Sequence, residues 1–120
     1  MANGRQTLHA GVGGVWEHLD FGINPAPGYD RPDLFEDVRL RQAIARCIDR
    51  RQIVDKVYLG QAVVIHSYVP PDHPLYLGAA LPEYEFDPAA AKSALEQLGW
   101  QDADGDGVRE AHGVNGIPDG

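Results

Sequence analysis

The chain has 120 residues, 43% of them apolar, and a formal net charge of −8 from 10 basic and 18 acidic residues. That length fits one domain, and the apolar share argues against disorder. The acidic balance disfavours nucleic acid and anionic membranes as partners. One cysteine, Cys47, excludes an internal disulfide and a cysteine-built zinc site. No apolar run approaches the ~18 residues of a membrane span, and the opening "MANGRQTLHAGVGG" lacks the pattern of an export signal.

In chain order, residues 1–14 are polar and glycine-rich and read as a flexible lead-in. From Val15 to Asn24, Leu19, Phe21 and Ile23 alternate, which predicts a strand with one buried face. "PAPGYDRPD" then supplies three prolines and a glycine, a surface loop. In "EDVRLRQAIARCID", Leu40, Ala43, Ile44, Cys47 and Ile48 follow helical spacing, with Asp37 as N-cap and Cys47 as a small buried hydrophobe. Asp49 caps a second helix, with Gln52 placed to reach back to it. Ile53, Val54, Val57 and Tyr58 are expected to face inward, and Gly60 to end the helix. Arg39, Arg41, Arg46, Arg50 and Arg51, interleaved with Asp37, Asp49 and Asp55, read as a solvated, salt-bridged surface.

"QAVVIHSYV" is β-branched and expected to be extended, and "PPDHPLYLGAALPEYEF" to wander over the surface. The third helix carries Asp87 as N-cap, Pro88 at its first position and Gly99 just past its end. Ala91, Ala94, Leu95 and Leu98 form its buried stripe, and Trp100 is expected to fold back over the last turn. An aspartate-rich loop and the turn residues "HGVNGIPDG" follow.

The aspartate loop has two readings. Asp102, Asp104, Asp106, Gly107 and Val108 meet the first demands of a calcium loop, and Glu110 stands where a further ligand is common. The closing carboxylate is absent, because Gly113 stands at that place, and Asp and Gly are also the ordinary residues of a solvated turn. If calcium binds, it is a structural clip joining helix to strand and not the function. The five histidines show no metal-ligand spacing, Ser67 and Ser93 lack a nucleophile's setting, and Glu83 and Glu85 read as a solvated edge. The residues argue for no catalysis.

The ordered motifs "LDFGIN", "DVRLRQAIARCIDR", "IVDKVYLG", Asp87-Pro88, Leu98-Gly99-Trp100 and "DGDGV" carry a resemblance. From about Trp16 to Gly113 the chain resembles bacterial extracellular solute-binding proteins of family 5, the oligopeptide, dipeptide and nickel receptors of ABC importers. The resemblance implies an α+β (mixed α/β) fragment of a two-lobed, periplasmic-binding-protein-like (type II) fold, with residues 15–120 forming part of the second lobe. It implies binding of a peptide or other small solute without catalysis, docking on ABC permease subunits, and an extracytoplasmic location. It requires no cofactor. Asn24, at the end of the predicted strand, is the one candidate for a cleft-facing residue; closing a strand before the Pro25 turn suits it better. A calcium-dependent interaction module built on Asp102–Glu110, resembling dockerins, is the alternative, although that class pairs two such loops.

Overall fold

The computed structural model describes residues 13–29 and 32–120. The expected lead-in, apart from Gly13 and Gly14, lies outside the described residues. The elements in order are α1 (Val38–Arg46), α2 (Arg50–Lys56), a 3-10 turn (Gly78–Ala80), α3 (Pro88–Gln97), β1 (Trp100–Gln101) and β2 (Glu110–Ala111).

Each helix begins on an aspartate because its side chain accepts a backbone N–H that the helix leaves free. Asp37 accepts from Arg39 N at 2.8 Å, Asp49 from Gln52 N at 2.8 Å and Asp87 from Ala90 N at 2.9 Å. Among the described hydrogen bonds Gln52 donates this backbone contact alone; its side chain does not reach back. Replacing Asp87 by alanine is expected to cost about 1 kcal/mol. Faster hydrogen exchange at the first-turn amides of α3 checks it.

Asp37 also grips the Arg39 guanidinium, Nη2 to Oδ2 at 2.6 Å. That side-chain bond, and then the Arg39 backbone N–H, hold the Asp37 carboxyl below its ordinary value. A depressed carboxyl stabilises the fold above the unfolded-state pKa of about 4, and the contribution fades as pH falls through the lower folded value. Acid titration of the helix content is therefore expected to show a step on the acid side that Asp37→Asn removes.

α1 and α3 pack face to face. Leu40 and Ala43 of α1 are buried, as is Ala91 of α3, with Ile44, Ala94, Leu95 and Leu98 half-buried around them. Alanines at Ala43 and Ala91, 1% and 0% exposed, let the two helix backbones approach closely. The Asp87 N–H donates to the Arg46 carbonyl at 2.9 Å, which fixes the start of α3 to the end of α1.

Gly99, at φ +91°, turns the chain out of α3 into β1. β1 and β2 run antiparallel, pairing Trp100 with Ala111 and Gln101 with Glu110. The His112 N–H to Gly99 carbonyl bond, at 2.8 Å, continues the ladder. Ala111 is fully buried beneath it. Trp100 is half-buried in β1, which packs against α3.

Several expectations are overturned, most of them by missing neighbours. Residues 15–24 form no strand, and Val15, Leu19 and Ile23 are 90%, 57% and 46% exposed. An alternating pattern becomes a strand only when a neighbour accepts its hydrogen bonds, and none does so among the described residues. Cys47 is exposed, because it falls at the C-cap of α1, where the chain leaves the α3 face. Of the four residues expected to face inward from the second helix, only Val54 is half-buried, while Ile53, Val57 and Tyr58 face solvent. The expected sheet reduces to a two-stranded ribbon.

Candidate functional site

Three places gather groups with chemical potential: the turn at Asn24, the aspartate loop, and an open groove beside α2.

Asn24 adopts φ +52°, a left-handed conformation that asparagine tolerates. Its backbone N–H donates to Asp33 Oδ2 at 2.8 Å, closing the proline-rich loop between them. Its side chain is exposed. What it does in the structure is turn the chain before Pro25.

The aspartate loop is organised by its own backbone. Asp102 accepts through Oδ1 from Gly105 N at 2.7 Å and through Oδ2 from Gly107 N at 3.1 Å. Asp104 accepts from Asp106 N at 3.1 Å, and Asp106 from Val108 N at 2.7 Å. Glu110, half-buried at the start of β2, accepts from Ala103 N at 3.1 Å. Gly105 and Gly107, at φ +80° and +89°, supply the left-handed turns this wrapping requires. Of the five expected ligands, the structure brings together Asp102, Asp104 and Asp106, each offering an oxygen within 4.8 Å of the others, all exposed. Val108 contributes a backbone N–H to the wrap, and Glu110 is engaged with Ala103. The donor set therefore fits a cation in part, and the same oxygens already close the turn.

Arg109 anchors this clip to the helix. It donates to the Trp100 carbonyl at 2.7 Å and lies 3.6 Å from the Glu96 carboxylate. The loop thus ties the end of α3 to both strands.

The groove beside α2 has a volume of about 850 Å³ and lies open between α2, residues 63–66 and residues 85–86. Its size falls in the ~300–1,000 Å³ range of small-molecule sites. Val54, Val63 and Phe86 supply apolar wall, with His66 and Glu85 at its polar side. The charges are partly paired: Arg51 meets Glu85 at 3.5 Å and His66 meets Glu83 at 3.9 Å.

The arginines that read as a solvated surface do something the sequence does not announce. Arg50 donates to the Tyr84 carbonyl, Arg46 lies over the Tyr84 ring at 5.9 Å from its centroid, and Gln42 meets the Tyr84 hydroxyl at 3.2 Å. Together they staple the segment before Asp87 onto α1 and α2. Only a pairing of helix positions with a tyrosine more than thirty residues on could have revealed it, and no local signal carries that.

The chain belongs to the bacterial extracellular solute-binding proteins, family 5: the family's model, described as "Bacterial extracellular solute-binding proteins, family 5 Middle", matches residues 3–117. It is a family of binding proteins and not of enzymes. The chain is 33% identical over 88 residues to the oligopeptide-binding protein AppA of Bacillus subtilis, covering 70% of this chain and 16% of that one. It is 30% identical over 83 residues to the heme-binding protein A of Haemophilus influenzae, covering 69% of this chain and 14% of that protein. Among solved structures it resembles the oligopeptide-binding protein of Thermus thermophilus in complex with a pentapeptide. There the TM-score is 0.58 and the identity 33%, over 68% of this chain and 13% of that one. The chain thus spans about one-sixth or less of the length of the relatives it matches.

Proposed function

We propose that this chain serves as a section of one lobe in a two-lobed (type II) solute receptor. The receptor captures an oligopeptide or related small solute outside the cytoplasm and presents it to ABC permease subunits. The observation that carries the reading is the structural match to a peptide-bound oligopeptide-binding protein at 33% identity. The first relative given above is an oligopeptide-binding protein as well. The heme-binding relative, and a nickel-binding periplasmic protein of Escherichia coli at 27% identity, set the neighbouring alternatives for the solute.

The physical character of the section agrees with a supporting role. Among the described residues only Leu40, Ala43, Ala91 and Ala111 are buried hydrophobics, while Trp16, Leu19, Val57, Leu59 and Val63 stand exposed. A surface of that kind contributes to a larger fold through what packs on it. Binding then needs no proton transfer or nucleophile; it needs two walls that close on the solute. Native mass spectrometry of the full-length protein, purified without added ligand, tests the reading. A co-purifying peptide is the expected result. A folded but empty protein that ignores peptides would falsify it.

For the aspartate loop we propose a clip that holds α3 to β1 and β2. A calcium ion is the second reading, favoured by the convergence of the Asp102, Asp104 and Asp106 oxygens. Because the loop is closed by its own backbone N–H groups, melts with millimolar calcium and with chelator are expected to differ by only a few degrees. Complete unfolding on chelation would instead support the calcium-dependent interaction module.

A further inference from the structure

The last turn of the chain, Val114–Ile117, places an asparagine directly before a glycine at the surface. Asn115 and Gly116 are both exposed. The turn is closed by one hydrogen bond, from Ile117 N to the Val114 carbonyl at 3.1 Å, with Gly116 at φ +77°. Among the described hydrogen bonds neither the Gly116 N–H nor the Asn115 amide takes part in any. A Cβ built on Gly116 would meet nothing within 4 Å, so no neighbouring group crowds the turn at this residue.

We propose that Asn115–Gly116 is a site of spontaneous modification, at which the asparagine converts to aspartate and isoaspartate. The Gly116 backbone nitrogen, giving its proton to hydroxide, attacks Cγ of Asn115. A C–N bond forms, the Cγ–Nδ2 bond breaks, and the departing nitrogen takes a proton from water and leaves as ammonia. The resulting five-membered imide is opened by solvent water at either carbonyl. Opening at one side leaves aspartate in a normal backbone; opening at the other routes the chain through the side chain as isoaspartate. No oxidant or reductant is involved.

The turn must open for the nitrogen to swing towards the side chain, and one exposed hydrogen bond opposes this weakly. The consequence is local and specific. Asn115 borders a groove whose walls include Leu40 and Trp100 together with the acidic Asp33, Glu36 and Asp37. Conversion adds a negative charge to a groove that already holds three carboxylates, and the isoaspartate form lengthens the backbone just before the Gly120 N–H that donates to the Ala111 carbonyl at 3.1 Å.

The test incubates the full-length protein at mildly alkaline pH and maps residue 115 by mass spectrometry. Alongside it run an Asn115→Gln variant and a synthetic peptide of sequence HGVNGIPDG. Conversion at residue 115 within about tenfold of the peptide's rate, the factor implied by the net worth of one hydrogen bond, supports the proposal when the glutamine variant shows none. Conversion slower than that, or none, overturns it. Unchanged circular dichroism during the incubation establishes that the folded protein was the one sampled.

Discussion

Replacing Gly99 by alanine is expected to cost about 3 kcal/mol, the largest single-site loss in the segment. Two independent terms add. An alanine held at φ +91° pays roughly 1 kcal/mol or more for the left-handed region. The new methyl would also collide with the His112 carbonyl oxygen and press on Val114 Cγ2 at 3.1 Å. Backbone cannot give way as a side-chain tip can, and overpacking of this kind typically adds about 1–3 kcal/mol. The collision falls on the pairing that continues the β1–β2 ladder, since His112 donates to the Gly99 carbonyl. Hydrogen exchange on the full-length protein should therefore show early opening of His112, the end of α3 and both strands, with a lower melting temperature. Exchange and melting unchanged from the parent would mean that α3 and the ribbon do not meet in this way.

The second large effect is at the α1–α3 contact. Ala91→Leu is expected to destabilise by about 2–3 kcal/mol, because Ala91 is fully buried where the helices pack. Ala89→Leu, on the exposed face of the same helix, is the control and should lie within about 0.5 kcal/mol of the parent. Denaturant unfolding of both variants separates the cases. Equal losses would show that helix composition, and not the contact, sets the result. An undiminished Ala91→Leu protein would show that α1 and α3 do not touch.

What could be read from the sequence and what could not divides along the range of the forces involved. Caps at Asp37, Asp49 and Asp87, the proline at Pro88 and the glycine stop at Gly99 act within a few residues, and each stands where its pattern places it; α2 instead ends at Lys56, four residues before the expected stop at Gly60. Burial is different. The alternation of Leu19, Phe21 and Ile23, or the stripe of Ile53, Val57 and Tyr58, says which face would be covered if something covered it. It does not supply the cover: among the described residues Phe21 meets Phe35 edge-on at 5.2 Å, while Leu19, Ile23, Ile53, Val57 and Tyr58 stay exposed. Cys47 failed for a narrower reason: the helical period carries it onto the α3 side, but α1 ends at Arg46.

The sites follow the same division. The wrap of the aspartate loop is local, and its Asp and Gly spacing made it visible, with the turn favoured over a cation because Gly113 stands where the closing carboxylate belongs. Asn24 was visible as a special position, and its left-handed backbone with the bond to Asp33 shows a conformational reason for it. The Tyr84 staple joins positions far apart in the chain and was invisible to any local reading. Family membership was legible because it rests on the order of several short motifs, which survives even where each element's burial is misjudged.

The most direct test of the central claim is calorimetric titration of the full-length protein with a panel of short peptides, set beside heme and a nickel chelate. The account predicts saturable one-to-one binding of a peptide, with a heat-capacity decrease as the lobes close over it. Binding of heme or the nickel chelate alone, with every peptide inert against a folded protein, would contradict it.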